Sequence, residues 1–359
     1  MTARVYGHPK FSIAGRPVGP GHPCYVIAEA GSNHNRDLDT AYQLIDAAAA
    51  AGADAVKFQT YTAEGLYSRR TPDMRYLKDQ GLVGEHESVF DLIKRIEMPW
   101  EWHADLARHA AEAGITFFST PFDESAVDLL EEVGVPAYKI ASYEVNHLPL
   151  IERAARTGKP LLVSTGMASL GDIERALDTA NAAGGQDVLL MHCAINYPPR
   201  FDDLNLRAIS TLAASFRVPI GWSDHTMGHT ADVVAVTLGA CAVEKHFTLS
   251  RDQPGPDHPF ALEPDELRDM VRAIRDTEVA LGSSVKRVTD AEAEMYRLGR
   301  RSLVAARSIP AGGELTRDDL AVKRPGFGIP VHAIDEVVGR HAAHDLDFDQ
   351  VLTWDDLVR

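Results

Sequence analysis

The chain has 359 residues, 45% of them apolar, and a formal net charge of −16 from 36 basic and 52 acidic side chains. That acidity excludes broad contact with nucleic acid or an anionic membrane, which both need a positive field, yet it permits a small anion met by a few converging lysines and arginines. No apolar run approaches the roughly 20 residues of a membrane span, residues 24–30 are too short and weakly flanked for a signal-peptide core, and Cys24, Cys193 and Cys241 sit in apolar runs as small hydrophobes, so a cytoplasmic protein is expected.

Short apolar runs alternate with amphipathic ones along the chain. CYVIAEA (24–30) precedes LDTAYQLIDAAAAAG (38–52), and ADAVKFQ (53–59) runs into a charged, irregular stretch from Thr62 to Pro99. EWHADLARHAAEAG (101–114), ITFFST (115–120), AYKIAS (137–142) and PLLVST (160–165) follow, then GDIERALDTANAAG (171–184), DVLLMHCA (187–194), PIGWSD (219–224), AVEKHF (242–247) and ELRDMVRAIRDTEVALG (266–282). Continuous apolar strands each followed by a helix predict a parallel sheet, and eight such units over about 260 residues predict a closed (β/α)8 TIM barrel, an α/β fold. An open doubly wound sheet is the alternative, but the first strand runs into GSNHN rather than the G-x-G-x-x-G fingerprint of that fold. Residues 62–99 read as a loop over one end of the barrel, where a connection of that length tends to be functional. The expected domains are a barrel over 1–283, a linker over 284–301 with a helical middle, and a small domain over 302–359. In that tail, short strands turn at 310–313 and 325–326, and its size predicts that it docks on something.

In a parallel barrel the chemistry gathers at the carboxyl ends of the strands. The first strand ends at Glu29, with Asn33 and His34 just beyond; the second at Lys57 and Gln59; the fourth carries Lys139, Ser142 and Glu144. The fifth ends at Ser164 and Thr165, the sixth at Asn196 and Tyr197, the seventh at Ser223, Asp224 and His225, and the eighth at Glu244 and His246. Any one of these alone reads as a solvated loop residue. Together, on barrel geometry, they converge on one mouth.

Alternation along a strand sends Glu244 and His246 to one side and Lys245 to the other. If that side is the interior, His246 faces His225. Two imidazoles plus water or substrate oxygens suit a divalent ion such as Mn2+, and suit Zn2+ less for want of a thiolate or third histidine. The alternative is a pair of core histidines bonded to backbone carbonyls; His229 reads as a surface residue. Lys57 and Lys139 either clamp a phosphate and a carboxylate, or one of them forms a Schiff base. The segment STGM (164–167) leads into a helix with Ser169 as its N-cap, and free N–H groups at a helix N-terminus suit phosphate.

IAEAGSNHN (27–35), GADAVKFQTY (52–61), FFSTPFDESAVDLLEEVGVPAYKIASYE (117–144), KPLLVSTGMA (159–168), HC-x-x-x-YP (192–198), GWSDHTMG (221–228), GACAVEKHFT (239–248), GPDH (255–258), RRSLVA (300–305) and KRPG (323–326) resemble the N-acetylneuraminate (sialic acid) synthase family over nearly the whole chain. The resemblance implies a catalytic TIM barrel with a small C-terminal antifreeze-like (SAF) domain, a domain-swapped homodimer, and condensation of phosphoenolpyruvate with an N-acetylmannosamine-type sugar with release of phosphate. It implies His225 and His246 as metal ligands, with Mn2+ first and Mg2+ or Co2+ as alternatives. Lys57, Lys139, Ser164 and Ser223 would hold phosphoenolpyruvate, with Ser142 and Glu244 beside them, and Glu29, Gln59, Glu144, Tyr197 and Asp257 would surround the sugar and the reacting atoms. Glu144 first, then Glu29, would steady a cationic centre or take a proton from water. Arg324 would reach the partner's barrel and bind the N-acetyl group.

One departure stands out. Ile195 occupies the position, two before the tyrosine of the YP motif, where neuraminate-type members often have Asn, so a phosphoenolpyruvate contact is expected to be lost or replaced. MPWEW (98–102) and PFDESAVDLLE (121–131) are similar to pseudaminic acid synthases, which use a 6-deoxy diacetamido sugar, while KFQTY and GPDH also suit neuraminate or legionaminate synthases. A lysine Schiff-base aldolase and a non-catalytic sugar-binding protein are the rival classes.

Overall fold

The computed structural model describes residues 6–72 and 87–359. It divides into two compact units after Gly282. A first hairpin, β1 (Phe11–Ile13) and β2 (Arg16–Val18), precedes eight parallel strands: β3 (Tyr25–Gly31), β4 (Ala55–Thr60), β5 (Thr116–Pro121), β6 (Tyr138–Ile140), β7 (Leu161–Ser164), β8 (Val188–Cys193), β9 (Ile220–Asp224) and β10 (Ala242–His246). They form a closed barrel in the order β10-β3-β4-β5-β6-β7-β8-β9. Closure is the pairing of β10 with β3, where Glu244 lies beside Ile27 and His246 beside Glu29. The TIM barrel expected from the sequence is therefore present, and the open sheet is excluded.

Local chemistry sets the helix ends. The helix Leu38–Ala51 begins where Asp37 accepts the Thr40 N–H, and it stops at Gly52, whose φ of 82° lies in the left-handed region that favours glycine. Leu170–Ala182 begins at a reciprocal capping box between Ser169 and Asp172, with Ser169 in the N-cap role expected from the sequence. Barrel strands are buried on both faces: all seven residues of β3 are buried, as are all five of β9 and of β10. Cys24, Cys193 and Cys241 are buried free thiols. No helix among the described residues is long and apolar enough to cross a membrane.

Two features depart from the sequence reading. Part of the stretch 62–99, expected to be a loop, is helical: Ala63–Leu66 and Val89–Ile96, the second opened by a capping box between Ser88 and Asp91. The signal was present as Ser88-x-x-Asp91 ahead of alternating apolar residues, but the surrounding charge masked it. The remainder, 73–86, lies outside the described residues. The hairpin β1–β2 was not anticipated; it inserts Ile13 and Val18 into the barrel's core.

That hairpin is held at the amino ends of the strands. Asp54, just before β4, accepts the Val26 N–H at 2.8 Å and pairs with Arg16 from the hairpin and with Arg275 at 3.1 Å. In the second unit, β11 (Ser302–Ala305) pairs antiparallel with β12 (Leu320–Lys323) and β13 (His341–Ala342) with β14 (Leu357–Val358). Leu303, Ile309, Leu315, Ile329, Leu346 and Leu352 fill its core, and the Gly313 N–H to Pro310 carbonyl bond closes the first expected turn. Residues 293–299 are helical, and 293–298 are exposed.

Asp54→Ala strands the buried Val26 N–H and deprives Arg16 and Arg275, both partly hydrated, of a carboxylate, although Arg275 keeps Glu278 and the Cys24 carbonyl. A loss of about 2–3 kcal/mol is expected, read as a lower urea midpoint with unchanged slope.

Candidate functional site

The strand ends enclose a cavity of about 430 Å3. Its walls include Glu29, Lys57, Gln59, Lys139, Ser142, Glu144, Ser164, Tyr197, Ser223, His225, Glu244, His246 and Asp257, drawn from seven strands and the loops that follow them. Glu29, Lys57, Gln59, Lys139, Ser164, Ser223, Glu244 and His246 arrive on strands that are apolar until they turn polar towards the rim, while His225, Tyr197 and Asp257 come from the segments that follow β9, β8 and β10. Glu144 arrives differently, because β6 ends at Ile140 and a 3-10 turn over Ser142–Glu144 carries the carboxyl into the mouth.

At the centre lies a buried charge cluster. Lys57 Nζ stands 2.8 Å from Glu29 Oε2 and 3.7 Å from Glu244 Oε1, and donates to Thr120 Oγ1 at 2.8 Å. Lys139 Nζ donates to Glu244 Oε1 at 3.3 Å, Ser223 Oγ donates to the same oxygen at 3.2 Å, and Gln59 Nε2 donates to Glu29 Oε1 at 2.9 Å. Burial pushes the Glu29 and Glu144 carboxyls up to about 7 and Asp257 up to about 6. Burial would raise Glu244 too, but Lys139 and Lys57 hold it below the usual carboxylate range. For Lys57 burial is outweighed by Glu244 and Glu29 and the pKa rises, whereas for Lys139 burial prevails and it falls. The cluster therefore sets two cations against one firmly ionised carboxylate, a local field suited to an anion inside an acidic protein.

Beside it stand the imidazoles. His225 and His246 have ring centroids 5.1 Å apart, with Tyr197 edge-on to His225 at 4.6 Å. Burial lowers His225 to about 4 and His246 well below its ordinary value, so both rings are neutral and keep a lone pair at neutral pH. His246 Nδ1 is buried with no hydrogen-bond partner among the described residues and lies 3.6 Å from Asp257 Oδ2. The core-histidine alternative requires ring bonds to backbone carbonyls, and among the described residues none is made by either ring. A divalent ion fits this pair through its two nitrogen donors. Among the described residues no cluster of three or more His, Cys, Asp or Glu is placed to hold an ion, so substrate or water oxygens would complete the shell.

Unpartnered atoms mark where a ligand belongs. Ser164 Oγ, Glu144 Oε2 and Glu244 Oε2 are buried in the mouth with no hydrogen-bond partner among the described residues, an arrangement native interiors rarely tolerate without a ligand or ordered water. Backbone space is reserved as well: a Cβ on Gly166 would collide with Ile195 and come within 2.9 Å of Ser142 Oγ, which already accepts the Gly166 N–H at 3.0 Å. Ile195 thus packs apolar surface against the STG turn.

Other residues named from the sequence stand elsewhere. Lys245 points away from the cavity and bonds Asp224 and Thr226. Asn33 donates to the Phe247 carbonyl and His34 accepts the Arg36 N–H, both as supports behind the wall. His229 is half-exposed and Asn196 exposed. Arg324 belongs to the second unit, where it is exposed and its Nε donates to the Gly299 carbonyl.

Sequence reasoning missed two sets. Thr120, at the end of the one strand not credited with a polar terminus, lines the cavity and binds Lys57; the closing Ser-Thr of ITFFST was its signal. Leu66, Tyr67, Val89, Leu92, Ile93 and Ile96 supply an apolar wall from the 62–99 segment.

A family model described as the NeuB family matches residues 44–286, and one described as the SAF domain matches residues 300–358. The chain belongs to the NeuB family. It is 39% identical to an N,N'-diacetyllegionaminic acid synthase of Legionella pneumophila over 95% of this chain and 96% of that one. It is 35% identical to a pseudaminic acid synthase of Helicobacter pylori over 94% and 98%. A crystal structure of an N-acetylneuraminic acid (sialic acid) synthetase from Leptospira borgpetersenii in complex with citrate aligns with a TM-score of 0.71 at 33% identity, covering 80% of this chain and 95% of that one. Relatives with these three names place the chain among the nonulosonic acid synthases.

His246→Ala deletes one of two nitrogen donors. Since changes behind a ligand cost roughly 10–100-fold in metal affinity, Mn2+ binding read by the free-ion electron paramagnetic resonance signal is expected to weaken by at least about 100-fold. The melting temperature should move little, because the ring faces the cavity and its Nδ1 has no hydrogen-bond partner among the described residues.

Proposed function

We propose that the protein condenses phosphoenolpyruvate with the open-chain form of an N-acetylated amino sugar, giving a nonulosonic acid and phosphate. N-acetylmannosamine is the sugar that the family resemblance names first; the diacetamido sugars of the legionaminic and pseudaminic branches are the alternatives, supported by the relatives at 39% and 35% identity. The observation that carries the reading is the placement of two lysines and two neutral imidazoles around one cavity.

Lys57 and Lys139 meet the phosphate and carboxylate of phosphoenolpyruvate, with Ser164 and Ser223 as hydroxyl partners. His225 and His246 would hold a divalent ion, Mn2+ by preference with Mg2+ or Co2+ as alternatives, which when bound supplies Lewis-acid polarisation of the sugar's aldehyde oxygen. C3 of phosphoenolpyruvate forms the new bond to the aldehyde carbon as the C=O π pair moves onto the aldehyde oxygen, which becomes a hydroxyl with the proton that is taken from water, leaving positive charge at C2. Water adds at C2, and the resulting tetrahedral centre expels phosphate by C–O cleavage. Glu144, whose Oε2 lacks a partner among the described residues, takes the water's proton; Glu29, bridged to Lys57, steadies the charge at C2. Gln59, Tyr197 and Asp257 border the sugar. Arg324, exposed in the second unit, serves a swapped homodimer by meeting the N-acetyl group in the other subunit.

Purified protein given phosphoenolpyruvate, Mn2+ and each sugar in turn is expected to release phosphate, and to stop on adding a chelator. A borohydride-trappable adduct at Lys139 or Lys57 with chelator-insensitive turnover would instead identify a Schiff-base aldolase.

A base must be ionised, and Glu144 titrates near 7, so kcat/KM is expected to fall as pH drops through that value. Glu144→Gln should lower kcat by about 10²–10⁴-fold and remove this acid limb; an unaltered limb would assign it to Glu29.

A further inference from the structure

Lys245 stands between Glu244 and His246, yet it leaves β10 on the face opposite the cavity and is 1% exposed. Its three donors are used: Nζ donates to Asp224 Oδ2 at 2.5 Å, to the Thr226 carbonyl oxygen at 2.5 Å and to Thr226 Oγ1 at 3.3 Å. Asp224 closes the same turn from within, where Oδ1 accepts the Thr226 N–H at 2.9 Å and Oδ2 accepts the Thr226 hydroxyl at 2.8 Å. Asp232, on the helix Thr230–Thr237 packed outside, approaches Nζ to 3.9 Å. Burial, then the charge of Asp224, pushes the Asp232 carboxyl well above its usual range, towards the neutral acid. The residue enclosed by this network is His225. Its two neighbours in sequence are fixed, while its own ring projects into the cavity.

The same ammonium, through the Asp224 carboxylate and the Thr226 carbonyl, therefore ties the residues on both sides of His225 to the residue immediately before His246. Strand pairing alone brings Lys245 beside Asp224 in register but does not extend to His225. A buried ion pair generally stabilises a fold no better than well-packed apolar side chains of equal volume, so general stability does not account for this one. Resting on the reading of His225 and His246 as metal ligands, we propose that Lys245 and Asp224 are positioning residues: they set the spacing and aim of the two imidazoles and thereby the affinity for a divalent cation.

The test titrates the full chain with Mn2+, following the free-ion electron paramagnetic resonance signal, beside a thermal melt. Asp224→Asn/Lys245→Met removes both charges at nearly constant volume; Thr226→Val removes only the hydroxyl shared between them. The double variant is expected to melt within about 5 °C of the parent and to bind Mn2+ about 10–100-fold more weakly. Thr226→Val is expected to weaken binding by roughly threefold or more, because its removed hydroxyl is one of several links. A folded double variant with the parent's affinity overturns the proposal. If the double variant does not fold, Thr226→Val decides, and parental affinity there overturns it equally. A parent that binds no Mn2+ overturns both this inference and the ligand assignment, whereas phosphate release, measured separately, judges the reaction class.

Discussion

Closure of the sheet by β10 against β3 is the constraint on which the site depends. It places Glu244 and Glu29 on neighbouring strands around Lys57, so that two carboxylates share one ammonium while Glu244 also meets Lys139. These side chains are almost fully buried, and isolated charges there would be expelled or neutralised. Pairing with Lys139 and Lys57 holds Glu244 below the usual carboxylate range, whereas for Glu29 burial outweighs Lys57 and the carboxyl rises to about 7; the closed ring holds the groups close enough to pair. An open sheet would leave β10 and β3 at opposite edges, and no cluster could form.

The alternation of β10 separates two tasks that sit one residue apart. Glu244 and His246 face the cavity, where they meet Lys139 and His225. Lys245 faces outward into a small polar pocket behind the barrel wall, where Asp224 and Thr226 satisfy it. Charge on one face thus lines the cavity and on the other is paired behind the barrel wall. Both are tolerated only because each ammonium finds a carboxylate partner within reach.

The mouth is two-sided in character. Its floor is a polar field in which burial raises Glu29, Glu144 and Asp257 towards neutrality, so the lysines dominate despite an overall charge of −16. Its wall from the 62–99 segment is apolar, through Leu66, Tyr67, Val89, Leu92, Ile93 and Ile96. Water excluded by such a wall strengthens the interactions of the floor, because the local dielectric falls. The wall is itself tethered by Glu97, which accepts the Ala63 N–H at 2.8 Å and pairs with Lys94 at 2.8 Å.

Much of this was legible in the order of residues. Continuous apolar runs and eight repeats of strand then helix fix a parallel barrel, and polar residues at strand ends fix which rim carries chemistry, because both follow from local stereochemistry. The 62–99 segment was read as loop since its capping box at Ser88 and Asp91 is short-range and its environment is highly charged. The hairpin β1–β2 escaped because its three-residue strands carry no usable periodicity. The sequence by itself determined the barrel, many of the residues that line its mouth and the opposite facing of Glu244 and Lys245. Only the tertiary structure decided which acid pairs with which lysine, how far burial raises Glu29 and Glu144, and that Thr120 joins Lys57, because desolvation and pairing depend on distances between strands far apart in the chain.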